Sequence, residues 1–115
     1  MPAKAFSERT WRKDPDFRAL CRALASCRTP QSVADLLRDI GTLTELYAWS
    51  ERLKVARLLM EKRTYREIAA ITGASTTTIT RVARFLKDGE GGYRRVLSEY
   101  YKRQPKRRST CSRTD

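Results

Sequence analysis

Helix start signals recur along this chain and leave little room for any other secondary structure. Asp14-Pro15 and Thr29-Pro30 each place a capping side chain before a proline at the first helical position, where the missing N–H costs nothing. Thr42 with Glu45, and Thr64 with Glu67, have the spacing of a reciprocal capping box. Ser75 offers a further cap. Apolar residues after each signal repeat at helical spacing. Phe17, Leu20, Cys21 and Leu24 predict a helix to about Cys27, and Val33, Leu36, Leu37 and Ile40 a second one ended by Gly41. Leu46, Trp49, Leu53, Ala56 and Met60, widened by Leu58 and Leu59, predict a long third helix to about Lys62. Short helices follow at about 65–71 and 76–87. A flexible turn at Gly89, Gly91 and Gly92 leads to a last helix carrying Tyr93, Val96, Leu97 and Tyr100. No strand-like alternation and no internal repeat interrupts the pattern. The fold class expected is all-α with six helices over residues 14–101. A loose basic N-terminus (1–13) precedes them, and a disordered basic tail (102–115) follows. The wide apolar surface of the third helix fits an intertwined dimer or a monomer core helix, and periodicity does not separate the two.

The 115 residues suit one domain with a modest core. Lys and Arg total 25 against 13 Asp and Glu, a net charge of +12, which points to a polyanionic partner, nucleic acid first. Histidine is absent, which removes the commonest general base and zinc ligand. Cys21, Cys27 and Cys111 form neither a metal knuckle nor a disulfide framework, and no metal site is expected. No apolar run approaches a membrane span, and residues 1–13 lack the apolar core of a signal peptide. A reduced, cytoplasmic compartment is the expected setting.

The chemistry concentrates in TYREIAAITGASTTTITRVARFL, residues 64–86. Two short helices joined through a glycine make a helix-turn-helix. Ala69 is the small residue where the helices cross, Ile68 faces the shared core, and Gly73 sits where the turn can demand positive φ. Ile79 and Val82 anchor the second helix. Thr72 stands where an apolar residue is common, and Ile71 is the candidate to replace it. Ser75, Thr76, Thr77, Thr78, Thr80, Arg81 and Arg84 then point outward. Small hydroxyl side chains let a helix approach base edges closely, hydrogen-bond in either sense and offer a methyl to thymine. A merely solvated face would favour Glu, Lys or Gln, because threonine is a mediocre helix former. Arg66 has three open readings: guanine contact, phosphate contact or plain surface charge.

On these residues the chain resembles the Trp repressor superfamily, and within it the YerC/YecD family of Trp-repressor-related helix-turn-helix proteins. The resemblance spans residues 16–101, and GAS-T-TTITR is its most specific part. It implies an intertwined homodimer that presents two recognition helices to successive major grooves of double-stranded DNA. The arginine that contacts a base matches Arg66, and the small groove-facing residues match Thr76, Thr77, Thr78 and Thr80. For an effector pocket, Thr42, Arg52 and Arg81 match residues around bound tryptophan. Val82, however, replaces the glycine that makes room for that ligand, so tryptophan binding is not expected and no cofactor is implied; phosphate contact and structural pairing are the preferred reading of Arg52 and Arg81, and a different small effector stays an open alternative.

The leading expectation is a sequence-specific transcriptional regulator, a repressor in particular. Arg81, Arg84 and Lys87 would contact phosphate, Arg66 and the threonines would specify, and Lys102, Arg103, Lys106, Arg107 and Arg108 would add non-specific attraction. The alternatives are a DNA-binding accessory module of a transposition or replication system, and a non-specific or RNA-binding basic protein. An enzyme is not expected. There is no triad candidate and no phosphate loop, and Asp35 and Asp39 read as a solvated helix face.

Overall fold

The computed structural model describes residues 6–103. The described residues contain six α-helices and no strand: α1 (Pro15–Ser26), α2 (Pro30–Ile40), α3 (Leu43–Met60), α4 (Tyr65–Thr72), α5 (Thr76–Asp88) and α6 (Gly92–Arg103). Their starts follow the capping chemistry. The Asp14 carboxylate accepts the N–H groups of Asp16 and Phe17, and the Thr29 hydroxyl accepts that of Ser32. Before α3 the Thr42 N–H reaches Glu45 Oε1 at 2.9 Å while the Glu45 N–H returns to Thr42 Oγ1 at 3.1 Å. Thr64 and Glu67 close the same reciprocal pair before α4.

Two compact units divide the chain, residues 1–46 and 47–115, with the boundary inside α3. In the first unit a 3-10 turn at Trp11–Lys13 packs on α1. The Phe17 ring stands edge-on to both Phe6 and Trp11, with centroids 5.4 and 5.5 Å away. Within the segment expected to be loose, residues 11–13 thus form a 3-10 turn with aromatic contacts to α1. Residues 1–5 lie outside the described residues. No residue of α1 or α2 is buried, although both helices carry an apolar stripe.

The second unit holds a continuous core. Val55, Ala56 and Leu58 of α3, Ile68 of α4, Ala74 of the turn, Ile79 and Val82 of α5 and Leu97 of α6 are all buried together. The buried side of α3 is thus Val55–Ala56–Leu58. The stripe that periodicity picks out is only partly there, since Trp49 and Leu53 remain 42% and 43% exposed. At the far end α6 runs through Arg103, and Lys102 Nζ lies 3.7 Å from Glu99. The tail expected from residue 102 therefore begins as helix. Residues 104–115, with Lys106, Arg107, Arg108 and Cys111, lie outside the described residues.

Gly73 ends α4 at φ 77°, and its N–H caps the Ala69 carbonyl. A Cβ built there meets nothing within 4 Å, so an alanine would face backbone strain alone. Gly73→Ala is expected to cost about 1–2 kcal/mol, the usual penalty of the left-handed region for an L-residue. An unchanged midpoint in thermal denaturation would show that the turn does not need that conformation.

Candidate nucleic-acid interface

The turn between α4 and α5 is built from small groups. Thr72 Oγ1 donates to the Ile68 carbonyl at 2.8 Å and accepts the Ala74 N–H at 3.0 Å. The threonine hydroxyl thus replaces an apolar contact with two hydrogen bonds, while Ala74 supplies the buried methyl, 6% exposed. Ile71 does not take that place, being 45% exposed. Beyond the turn Ser75 caps α5 by accepting the Thr78 N–H, and the two hydroxyls lie 3.2 Å apart. Thr78 is half-buried, so the Ser75–Thr78 pair is committed to the cap while the other three threonines of the helix are exposed.

Those three, Thr76, Thr77 and Thr80, share the outer face of α5 with Arg81 and Arg84 and line an open concavity of about 560 Å³. The opposite face carries Ile79, Val82 and Leu86 into the interior. The amphipathic division is what orients the polar face: burying those three side chains leaves only one way for the threonines to point. Arg66 on α4 and Lys87 near the end of α5 are also exposed. Neither Arg66, Arg81 nor Lys87 has an ion-pair partner among the described residues. Over residues 64–87 the cations Arg66, Arg81, Arg84 and Lys87 face one carboxylate, Glu67, a local charge of +3. Glu67 is tied into the capping box.

Phe85 also lines the concavity, and sequence reasoning passed over it. It is 52% exposed, and the Arg84 guanidinium lies 5.9 Å from its ring centroid. Its position one turn after Arg81, off the Ile79–Val82–Leu86 stripe, was the available signal.

The residues matched to an effector pocket differ in their own surroundings. Val82 is 2% exposed within the core, whereas its neighbour Arg81 is exposed on the outer face. The Thr42 hydroxyl is engaged with Glu45. Arg52 places its charge near Tyr93, where it partly offsets the rise in phenol pKa that burial causes. Among the described residues no group of His, Cys, Asp and Glu could hold a metal ion, and no helix is long and apolar enough to cross a membrane.

A capped helix, a glycine in the left-handed conformation and a second helix packed on the first define a helix-turn-helix protein. A profile of the Trp repressor protein family matches residues 15–101, and the chain belongs to that family. Members of this family are DNA-binding regulators and not enzymes. An uncharacterized protein of Bacillus subtilis, YerC, is 46% identical over 59 residues, 51% of this chain and 57% of the relative. The chain thus matches little more than half the length of that curated relative. Two solved structures share the fold. A TrpR-like protein from Eubacterium eligens has TM-score 0.76 at 37% identity, covering 87% of this chain and all of that one. A candidate Trp repressor from Staphylococcus aureus has TM-score 0.77 at 27% identity, covering 84% and 96%.

Proposed function

We propose that this chain is a sequence-specific transcriptional regulator that binds double-stranded DNA as a homodimer and represses by occluding a promoter. The observation that supports the reading most is the outer face of α5, where the exposed threonines Thr76, Thr77 and Thr80 share one surface with Arg81 and Arg84. Inserted in a major groove, Thr76, Thr77 and Thr80 come within reach of base edges, and Arg66 approaches from α4. Arg81, Arg84 and Lys87 meet phosphates and supply affinity that falls with salt. Ser75 and Thr78 act one step back, by fixing the N-terminus of α5. The setting proposed is the cytoplasm, on the nucleoid. Tryptophan is not the effector in this reading, because Val82 is a core residue and leaves no room at its position.

Apolar exposure supports the homodimer. Leu43, Tyr47, Leu53, Val96 and Tyr100 are between 42% and 65% exposed. Leu53, Val96 and Tyr100, with Leu97, line a groove of about 300 Å³ between α3 and α6. A single chain that leaves this surface and the stripes of α1 and α2 uncovered matches a protomer whose core is completed by a second copy.

Anisotropy titrations with duplex DNA over a range of salt, together with light scattering, test this reading. The expected mass is twice 13.3 kDa, with affinity that falls steeply as salt rises. Deleting residues 104–115 removes Lys106, Arg107, Arg108 and Arg113. The deletion is expected to flatten the logarithmic salt slope by up to about 3 while leaving preference among sequences intact. A monomer with salt-independent binding would contradict the proposal.

A further inference from the structure

Glu61 follows directly on α3 and stands three residues before the Thr64 cap of α4. Three side chains converge on its carboxylate. Tyr101 of α6 donates its phenol O–H to Glu61 Oε2 at 2.7 Å, across 40 residues of chain. Arg57, one turn back on α3, lies 3.8 Å from the same oxygen, and Arg63 Nε lies 3.9 Å from Oε1. The phenol oxygen is also 3.3 Å from the Arg57 carbonyl. The backbone beneath is pinned as well. The Lys62 N–H reaches the Leu59 carbonyl at 3.0 Å, and the Arg63 N–H reaches that of Leu58 at 3.1 Å. Lys62 holds a left-handed φ of 67°, unusual for a residue with a side chain. The chain tolerates that strain to turn sharply between α3 and α4.

We propose that Glu61 and Tyr101 form a positioning lock that fixes the direction in which the helix-turn-helix leaves α3 and α6. The inference rests on the regulator reading given above. Tyr101 and the side chain of Glu61 are 36% and 32% exposed, so the contacts contribute little to stability and their role is geometric. Geometry matters here because a dimer must place two recognition helices on half-sites about 34 Å apart at once. A change of direction at residues 61–64 moves α4 and α5 together. It spoils specific binding, which needs register. Phosphate attraction does not need it. Burial, and then the hydrogen bond to Glu61, raise the Tyr101 pKa above the ordinary phenol range, so the O–H stays a donor beyond the pH at which a free phenol ionises. The stability linked to that proton is full below about pH 10 and is lost as pH rises through the raised folded value.

The test compares the full chain with Tyr101→Phe, Glu61→Ala and the double variant. Affinities are measured for a selected duplex and a random duplex at one salt concentration, and amide hydrogen exchange is followed over residues 61–66. Tyr101→Phe is expected to lower the specific-to-random affinity ratio about five- to tenfold with random binding unchanged. Exchange over 61–66 should quicken. The double variant should lose no more than the larger single loss, since both changes break one contact. An unchanged ratio, or equal loss on both duplexes, overturns the lock. If the unaltered chain shows no sequence preference, the regulator reading itself fails. The exchange data then judge the lock alone, and unchanged protection in Tyr101→Phe overturns it.

Discussion

Ile68→Ala is expected to destabilise the protein by about 2–5 kcal/mol, the range for emptying a fully buried aliphatic site. Ile68 has no exposed surface and joins α4 to the cluster that includes Val55, Ile79, Val82 and Leu97. A domain of this size has roughly 5–15 kcal/mol to lose, so the variant gives up a substantial share of its stability. The methyl groups removed are those that hold α4 against α5, and the face of α5 is aimed only while its other side is packed. Loss of aim should lower specific binding most, while the larger unfolded fraction lowers binding on every sequence. Chemical denaturation checks the magnitude. A loss below about 1 kcal/mol would mean that the site collapses without a cavity and that α4 is not anchored there.

Arg66→Ala should behave in the opposite way, leaving the fold intact and altering discrimination. The side chain is exposed, lies on the first motif helix and has no ion-pair partner among the described residues. Its removal costs no core packing. If the guanidinium reads a base edge, the gap between cognate and random DNA narrows by about 1–3 kcal/mol, the worth of a good side-chain–base contact. A phosphate role predicts the same loss on both DNAs and a salt slope smaller by about one. Parallel titrations of the two duplexes separate these results, and equal loss would remove Arg66 from base reading.

Much of the architecture was legible because capping is local. Asp14, Thr29, Thr42, Thr64 and Ser75 each declare a helix start within four residues of sequence, and each helix starts directly after them. Gly73 was legible for a similar reason, since a left-handed residue between two short helices calls for a residue without a side chain. What escaped depends on contacts distant in sequence. The buried side of α3 is chosen by α4, α5 and α6, and the exposed Trp49 and Leu53 repeat with the same period as a core stripe. The contacts of Phe6 and Trp11 with Phe17 are likewise ones that no local propensity signals. Thr72 was judged by what an apolar residue would do there, when its hydroxyl bridges Ile68 and Ala74 instead.

The outer face of α5 shows both sides of this limit. Thr76, Thr77, Thr80, Arg81 and Arg84 were legible as a face because Ile79 and Val82 fix the opposite side. Phe85 was not, since an aromatic residue on a helix is ordinarily assigned to the core. The Glu61–Tyr101 contact lay beyond reach altogether, because the two residues stand 40 apart and neither belongs to a motif.

The central claim is that the face of α5 reads DNA sequence as one half of a symmetric pair. In vitro selection from a random duplex library at physiological salt, with and without tryptophan, tests it most directly. The account predicts one enriched pseudo-palindrome with half-sites about a helical turn apart, the same in both arms. Absence of any enriched motif would contradict sequence reading. Enrichment only with tryptophan would contradict the reading that tryptophan is not the effector.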